Sequence, residues 1–277
     1  YQIIVTVLLI ISPIIIIYRI LKNKENKKRF VEKYSLPSKK RINGKLIWFH
    51  GSSVGEIMSI IPLIKNYEKK QSISQILVTS STLSSSKIIE KFNFKKTTHQ
   101  FYPIDQLFFT NNFLNYWKPS IAIFIESEIW PSMFKNLYKK NIPLILLNAR
   151  LTMKTFNRWM KIKKINNSIF NKITEAYPQN LETKYFLRKL EVKKINLIGN
   201  LKFAENYKEN LVKFNKKLQS EFKKKKIWVA SSTHKSEEIL CAKAHIKLKK
   251  KFKNLITIII PRHIHRVHEI VEELKNE

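Results

Sequence analysis

The fold of this chain is organised around the segment Leu46-Ile-Trp-Phe-His50-Gly-Ser-Ser-Val-Gly-Glu56. Its apolar start predicts a buried strand over Leu46–His50, and the small residues that follow predict a tight turn. An amphipathic helix pattern then covers Gly55–Lys69. Strand, turn and helix in this order place a side chain at the carboxyl edge of a parallel sheet, where α/β proteins bind ligands. Glu56, in the first turn of the helix, is therefore the first candidate for a functional residue.

Strands and helices continue to alternate along the chain, which predicts an α/β fold with a mostly parallel sheet covered on both faces. Further strands are predicted at Ile76–Thr79, His99–Tyr102, Ile121–Ile125, Leu144–Leu147, Ala176–Tyr177 and Ile195–Ile198. The helices between them are predicted at Leu83–Phe92, Gln106–Trp117, Trp130–Lys140, Thr152–Ile173 and Leu181–Leu190. We therefore expect a complete Rossmann-like domain over residues 45–205.

A polar, Lys-rich segment at Asn200–Ser220 separates this domain from a second alternation. There the sequence predicts strands at Ile227–Ala230 and Leu255–Ile260 and helices at Glu237–Lys250 and Ile264–Glu277. Residues 206–277 are too few for such a domain, so we interpret them as the incomplete start of a second Rossmann-like domain.

The first residues form a strongly apolar segment. Tyr1–Tyr18 carries no charge and, as a helix, would be about 27 Å long, close to the thickness of a bilayer core. Lys and Arg follow at once and place the rest of the chain on the cytoplasmic side by the positive-inside tendency. We interpret residues 1–21 as a membrane anchor helix and residues 22–44 as a basic connector that contacts anionic lipid. The alternative is a buried core helix.

The composition limits the possible partners. The net charge of +33 comes from 53 Lys plus Arg against 20 Asp plus Glu. Such a charge favours anionic partners, and the alternative is that it reflects a general bias toward Lys along the whole chain. None of the common nucleic-acid-binding motifs occurs, so no nucleic-acid partner is expected. The single cysteine, Cys241, argues against a disulfide framework and a Cys-based zinc site. The histidines form no convincing metal set, and we expect neither a metal nor a cofactor.

Glu56 has two interpretations. Ser53-x-x-Glu56 matches a capping box, in which Ser53 accepts from the Glu56 amide and Glu56 accepts from the Ser53 amide. The alternative is a catalytic base that takes a proton from an incoming hydroxyl. Gly51 and Gly55, two of only four glycines, flank the turn and favour the second interpretation because glycine permits close approach of a ligand.

Two further strand ends carry charged residues. Glu126 and Glu128 follow the strand Ile121–Ile125; Glu128 suits the helix N-terminus that follows, so Glu126 is the better site candidate. Arg150 follows the next strand and either binds a carboxylate or phosphate of a substrate or forms a salt bridge to one of these acids.

The end of the first domain and the strand ends of the second supply the remaining candidates. Lys202 follows the strand predicted at Ile195–Ile198 and is expected to point into a cleft between the domains. In the second domain the hydroxyls of Ser232 and Thr233 are expected to bind phosphate at a helix start, and the segment Pro261-Arg262 to pair with phosphate.

Six short segments together resemble the Kdo transferases, the 3-deoxy-D-manno-octulosonic acid transferases of lipopolysaccharide assembly. They occur in the order that the family has and cover essentially the whole chain: His50–Glu56, Glu126–Pro131, Asn148–Leu151, Gly199–Phe203, Ser232–His234 and Pro261–His263. The resemblance implies a two-domain GT-B fold and inverting transfer of Kdo from CMP-Kdo to a lipid A precursor, lipid IVA, at the cytoplasmic face of the inner membrane of a bacterium.

The same resemblance implies roles for individual residues. Glu56 matches the general base of the family, and Glu126 and Lys202 match residues that stabilise the transition state. Pro261 and Arg262 match part of the CMP site, which leaves Ser53, Gly55 and Arg150 as acceptor-side candidates. The later Gly-rich donor-binding segments of the family are missing, so we expect the chain to be truncated and to lack transferase activity alone.

Two other functions remain open at this point. One is a different membrane-anchored GT-B glycosyltransferase that uses another nucleotide sugar. The other is a basic, membrane-attached binding protein without enzymatic activity.

Overall fold

The computed structural model describes residues 1–162, 168–201 and 216–275. The chain divides into two units, Tyr1–Asn206 and Tyr207–Glu277. Both are α/β, so the predicted fold class is confirmed.

The first unit alternates strands and helices from Leu46 onward. Its strands are β1 (Leu46–His50), β2 (Gln75–Ser80), β3 (Thr97–Phe101), β4 (Ile121–Ile125), β5 (Leu144–Ala149) and β6 (Glu175–Pro178). Its helices are α1 (Gln2–Leu21), α2 (Val54–Glu68), α3 (Leu83–Glu90), α4 (Leu107–Trp117), α5 (Pro131–Lys139), α6 (Met153–Lys161) and α7 (Leu181–Lys189), with a 3-10 helix at Phe30–Tyr34.

The six strands form one parallel sheet in the order β3-β2-β1-β4-β5-β6. This is the order of the Rossmann fold, in which the chain leaves β1 toward one edge and returns through β4 toward the other. Neighbouring helices therefore diverge above the carboxyl ends of β1 and β4 and leave a crevice there. Such a crevice is the usual ligand site of an open α/β sheet.

Both faces of the sheet are covered, as the apolar strands predict. Alternate residues of β1 enter opposite cores: Leu46 and Trp48 pack in one cluster, and Ile47 and Phe49 in the other. All five residues of β1 are buried. Because successive side chains of a strand point to opposite faces, a fully buried strand lies at the centre of a layered fold.

The apolar helix α1 contains a segment, Ile4–Leu21, that is long and apolar enough to cross a membrane. Only 11% of that segment is buried, so the alternative of a core helix does not fit. Tyr1, the N-cap of α1, contacts the rest of the unit, since its hydroxyl donates to Asp105 Oδ2 at 2.5 Å. Near its middle, Ser12 Oγ lies 2.7 Å from the Tyr34 hydroxyl.

The connector after α1 is partly held by ion pairs. Glu25 accepts from Arg19 and Lys33, and Glu32 accepts from Arg29. Its exposed lysines are Lys22, Lys24, Lys27, Lys28, Lys39 and Lys40.

Two predicted elements differ from the structure. The helix predicted over Thr152–Ile173 is interrupted, because α6 ends at Lys161 and Ile162 leaves helical geometry at φ −114° and ψ 49°. Residues 163–167 of the prediction lie outside the described residues, and residues 168–170 are helical. The strand predicted at Ile195–Ile198 is reduced to a single bridge between Ile195 and Ala176. Leu197 and Ile198 are 41% and 46% exposed, so among the described residues no second layer covers them as the apolar pattern suggested.

The described part of the second unit is smaller. It contains α8 (Lys216–Phe222), β7 (Lys226–Thr233), α9 (Glu237–Lys251), β8 (Leu255–Pro261), a 3-10 helix at Ile264–Arg266 and α10 (Val267–Lys275). β7 and β8 pair in parallel, as the alternation predicts.

Candidate functional site

The first strand end of the site is the turn between β1 and α2. Ser53 is the N-cap of α2, and its Oγ accepts from the Glu56 amide at 3.2 Å. The carboxylate of Glu56 turns back over the helix start, where Oε1 accepts from the Ser53 hydroxyl at 2.8 Å and Oε2 from the Ser52 amide at 2.7 Å. The predicted cap is confirmed, but its reciprocal amide is that of Ser52 and not of Ser53.

The environment of Glu56 opposes ionisation on balance. Burial raises the pKa of the carboxyl group, and the nearby charges of Glu128 and Glu126 raise it further. The hydrogen bonds from Ser53 and Ser52 act in the opposite direction but do not cancel the rise in pKa. A carboxylate with a raised pKa is a stronger base than an ordinary surface glutamate.

Gly51 is required by the close approach of Glu56. A Cβ at position 51 would lie 3.1 Å from the Glu56 Cβ and 3.5 Å from its Oε2. A larger residue would therefore push the carboxylate away from the sheet edge. Gly55 lies exposed in the first turn of α2, beside the carboxylate.

The second strand end of the site is the loop after β4. Glu126 follows the last residue of β4 directly, in left-handed backbone geometry with φ 55°. Glu128 lies two residues further, and its Oε2 contacts His50 Nε2 at 3.1 Å and accepts from Trp130 Nε1 at 2.7 Å. Since β1 and β4 are neighbours in the sheet, the residues after both strands meet at the crevice.

Glu128 does not cap the helix that follows it. The N-terminus of α5 is capped from another strand end, by Asp105, whose carboxylate accepts from the Ser132 and Met133 amides at 3.0 and 2.9 Å. Burial opposes ionisation of Glu128, but hydrogen bonds from His50, Ser52 and Trp130 outweigh it and lower the pKa. Glu128 is therefore an ionised residue of the site.

The third strand end is the loop after β5. Arg150 is exposed there, and no ion pair within residues 1–162, 168–201 and 216–275 connects it to Glu126 or Glu128. The salt-bridge alternative for Arg150 is therefore not realised in the described part. Its backbone does join the loops, since the Ser127 hydroxyl donates to the Arg150 carbonyl at 2.5 Å.

Asn148 belongs to the segment Asn148–Leu151 and has a structural role at the end of β5. It is fully buried at the end of β5, with φ 53°, and its Oδ1 accepts from the Leu201 amide at 3.1 Å. This bond fixes the chain just before Lys202, which itself lies outside the described residues. An Asn directly after the predicted strand Leu144–Leu147 is the signal that could have identified it, because Asn tolerates left-handed backbone geometry better than most residues.

In the second unit the two predicted motifs meet at the carboxyl ends of β7 and β8. Thr233 pairs with Pro261 in the register, and the Arg262 amide donates to the Thr233 carbonyl at 2.9 Å. Ser232 and Arg262 are exposed, whereas the Thr233 side chain is buried and donates to Glu238 Oε1 at 2.9 Å. The Thr233 hydroxyl therefore stabilises the loop, whereas Ser232 and Arg262 are exposed and can contact a ligand.

A pair that the sequence did not single out holds this edge in place. Glu238 has no exposed surface, and its Oε1 accepts from Arg266 Nη1 at 3.2 Å as well as from Thr233. The pair links the start of α9 to the segment after β8. Among the described residues, no group of three or more His, Cys, Asp or Glu side chains is placed to hold a metal ion.

Comparisons with known proteins agree with this arrangement. The profile of the 3-deoxy-D-manno-octulosonic-acid transferase (kdotransferase) family matches residues 25–205. A 3-deoxy-D-manno-octulosonic acid transferase of Rickettsia bellii is 36% identical over 96% of this chain and 63% of its own length. One from Haemophilus influenzae is 29% identical over 83% of this chain and 55% of its own length. The chain therefore spans about six-tenths of the length of such relatives.

The fold is also similar to that of solved structures. The crystal structure of UDP-GlcNAc 2-epimerase from Neisseria meningitidis superposes with a TM-score of 0.58 at 14% identity, over 84% of this chain and 68% of that one. At this identity the likeness shows the fold alone, the GT-B type with Rossmann-like units. The profile match over most of the chain shows more than the fold: the protein belongs to the 3-deoxy-D-manno-octulosonic-acid transferase (kdotransferase) family.

Proposed function

We propose that the protein is an inverting glycosyltransferase that moves Kdo from CMP-Kdo to a phosphorylated lipid A precursor, lipid IVA, in lipopolysaccharide core biosynthesis. The observation that carries the proposal is the position of Glu56. Its carboxylate lies at the crevice between β1 and β4, in a member of the kdotransferase family, and burial raises its pKa. The donor and the acceptor are proposed for the whole protein, since the chain spans about six-tenths of its relatives.

Glu56 acts as the general base in this proposal. A carboxylate offers about four acceptor positions, and the Ser52 amide and the Ser53 hydroxyl occupy two of them. The remaining positions can accept the proton of a sugar hydroxyl while the helix cap stays intact. The hydroxyl oxygen then attacks the anomeric carbon of Kdo, the bond from that carbon to the CMP phosphate breaks, and the configuration inverts.

Charge develops in two places during this step. The anomeric carbon becomes oxocarbenium-like, and Glu126 at the end of β4 is proposed to stabilise it. The departing CMP carries its negative charge on the phosphate, and Lys202, Arg262 and Ser232 are proposed to bind it, with Pro261 and Thr233 shaping that edge. The proposal assigns no metal or cofactor to the transfer.

A basic helix face next to the site supports an anionic acceptor. Lys154, Arg158 and Lys161 recur at helical spacing on α6 and are exposed, and Arg150 is exposed in the loop just before the helix, while Phe156 and Trp159 pack against the core. No Asp or Glu occurs from residue 144 to residue 174. Cations at this spacing form one continuous surface that starts at the carboxyl edge, and we assign it to the phosphate groups of the acceptor.

The apolar helix and the lysines that follow support action at a membrane. We propose that α1 anchors the protein at the inner membrane and that the α/β units lie on its cytoplasmic face, where the exposed lysines of the connector contact anionic lipid. A lipid acceptor would then reach the site without leaving the bilayer. The proposal includes no nucleic-acid partner.

A donor-competition assay tests this function. The full-length protein in detergent is supplied with a lipid A precursor and with CMP-Kdo, UDP-GlcNAc or other nucleotide sugars, and lipid-linked product is measured. The proposal predicts transfer from CMP-Kdo alone. Transfer from a uridine nucleotide sugar, or none from CMP-Kdo, would overturn it.

A further inference from the structure

The polar contacts of α1 with the rest of its unit run along the whole helix. At the start, the Tyr1 hydroxyl donates to Asp105 Oδ2 at 2.5 Å. Near the middle, Ser12 Oγ lies 2.7 Å from the Tyr34 hydroxyl. At the end, Arg19 forms an ion pair with a carboxylate of the connector. Tyr1 and Arg19 are 18 positions apart, which is about 27 Å along a helix.

The least exposed positions of α1 lie on one side of the helix. Val5 and Ile16 are buried, and Leu9, Ser12 and Arg19 are partly buried. Along the chain these five residues are separated alternately by four and three positions, which is the spacing of neighbours on one helix face. The helix therefore packs on the α/β unit through a single stripe.

The opposite side of α1 is apolar and exposed. Val7, Ile11, Ile14 and Tyr18 lie on that side and are between 43% and 69% exposed. Tyr1–Tyr18 carries no charge, so α1 has no charged face to turn toward water. An apolar surface of this extent needs an apolar partner. The basic residues that follow at once match a lipid leaflet, because its anionic headgroups lie beside its acyl chains.

A helix that spans the membrane cannot keep these contacts. Spanning would place Tyr1 and Arg19 on opposite sides of a hydrocarbon core of about 30 Å. Asp105, the partner of Tyr1, is 4% exposed and also accepts from the Ser132 and Met133 amides within the α/β unit. The unit lies on the same side of the membrane as Arg19. The helix can therefore contact the unit at both of its ends only by lying along the surface.

Asp105 also relates α1 to the crevice. It follows β3 at the carboxyl edge of the sheet, and it caps α5, which begins just after Glu126 and Glu128. The first residues of α1 therefore lie at the edge of the sheet that carries Glu56. A helix held in this position in a leaflet brings that edge to the lipid surface.

We propose that α1 is a monotopic anchor that lies in the plane of the cytoplasmic leaflet, with one stripe packed on the α/β unit and the opposite side in the acyl chains. Such a helix enters the leaflet by about 5–10 Å. The arrangement explains why α1 is apolar all round, since protein covers one side and lipid covers the other. The inference deepens the proposed function and rests on its membrane attachment, not on the transfer chemistry.

Nitroxide depth measurements on the full-length protein test the orientation, in vesicles of phosphatidylethanolamine and phosphatidylglycerol. Cys241 and any other native cysteine are replaced by Ser, and single labels are placed by Val7→Cys, Ile11→Cys, Ile14→Cys and Tyr18→Cys. Relaxation by oxygen and by a water-soluble nickel chelate gives the depth of each label. All four labels should lie in lipid at nearly the same depth, whereas a spanning helix would separate the first and the last by about 16 Å in depth.

Leu181→Cys is the matched control. Leu181 is also an exposed apolar residue of a helix, at 70% exposure, but it lies on α7, which follows the edge strand β6. Its label should be reached by the nickel chelate from water.

The side of the membrane on which α1 begins gives a second readout that leaves every residue of α1 unchanged. A cysteine tag is placed ahead of the N-terminus of the full-length protein. It should react with a membrane-impermeant maleimide in inverted inner-membrane vesicles and should not react from the periplasm of whole cells.

The outcomes separate this inference from the proposed function. Depths that change steadily from Val7 to Tyr18, or labelling of the tag from the periplasm, refute the in-plane helix alone. Labels that neither oxygen nor the nickel chelate reaches show that protein, such as a second copy of the chain, covers this face, and they refute it as well. Failure to bind vesicles refutes the membrane attachment, whereas absence of transfer from CMP-Kdo refutes the transfer chemistry and leaves the in-plane helix standing.

Discussion

Replacing Ser53 with alanine should destabilise the first unit in a way that depends on pH. The Ser53 hydroxyl makes two bonds, one from the Glu56 amide at 3.2 Å and one to Glu56 Oε1 at 2.8 Å. Loss of the cap costs about 1 kcal/mol at any pH. Loss of the bond to an ionised carboxylate costs about 1 kcal/mol more at this exposed position. We expect a total of about 2 kcal/mol at neutral pH, where Glu56 is ionised.

The sign of the pH effect follows from the pKa of Glu56. Burial raises the pKa of Glu56 in the folded state above the ordinary value of 4.5, so the folded state binds more protons than the unfolded state. The free energy of unfolding therefore falls as the pH rises from about 4.5 through the raised pKa. The bond from Ser53 favours the ionised form, so its loss steepens this fall. Below pH 4 only the cap term of about 1 kcal/mol should remain.

Urea unfolding of the 277-residue chain in mild detergent measures this effect. The fluorescence of the buried Trp48 and Trp117 reports on the first unit. Thr82→Ala is the matched control, because Thr82 caps α3 through the Ser85 amide at 3.2 Å and binds no carboxylate. The decrease in the free energy of unfolding caused by Thr82→Ala should be the same at pH 4 and pH 7.5. Equal losses at both pH values for Ser53→Ala would refute the reasoning.

Two further substitutions test other parts of the site. Asn148→Ala removes the acceptor of a backbone amide and places alanine at φ 53°, so we expect a loss of about 1–3 kcal/mol in urea unfolding; an unchanged midpoint contradicts the assigned role. Lys154→Gln with Arg158→Gln should raise the KM for the lipid acceptor about fivefold to thirtyfold without changing the KM for CMP-Kdo. The control is Lys184→Gln with Arg188→Gln, which removes the same charge from two positions four residues apart on α7. An equal rise in the KM for the lipid acceptor in that variant would contradict a specific acceptor surface.

The sequence predicted the local elements of the first unit well. Apolar strands separated by amphipathic helices carry a strong periodic signal, and β1, β4 and α2 lie within a residue of their predicted bounds. The segments at strand ends were also identified, because a parallel sheet collects them at one edge. The sequence did not predict the order of the strands, which depends on contacts between distant residues.

The chemistry of the site depends on such distant contacts. Glu128 looked like a helix-start acid from its position before α5, yet Asp105 caps that helix from 27 residues away and Glu128 pairs with His50. No local pattern distinguishes these two carboxylates. The role of Asn148 depends in the same way on Leu201, 53 residues further along the chain.

The two elements that differ from prediction have a local cause. The Lys-rich continuation of α6 keeps a helical pattern, but the backbone turns at Ile162. The apolar run at Ile195–Ile198 lies beyond the edge strand β6, where the backbone on either side of Ile195 bonds to Ala176 but forms a single bridge and not a strand. Periodicity predicts which face of an element could be buried but not whether a second layer is present to cover it.

The role of Glu56 as general base is tested by the turnover of Glu56→Gln in the full-length protein with CMP-Kdo and a lipid A precursor. Gln keeps an oxygen that can accept from the Ser52 amide, so the cap should survive while the base is lost. Glu182→Gln, in the first turn of α7, is the matched control for a helix-start glutamate. The account predicts that kcat falls by about 10²–10⁴-fold in Glu56→Gln, with little change in KM, and stays unchanged in the control. A Glu56→Gln protein that folds and retains the kcat of the unsubstituted enzyme would contradict it.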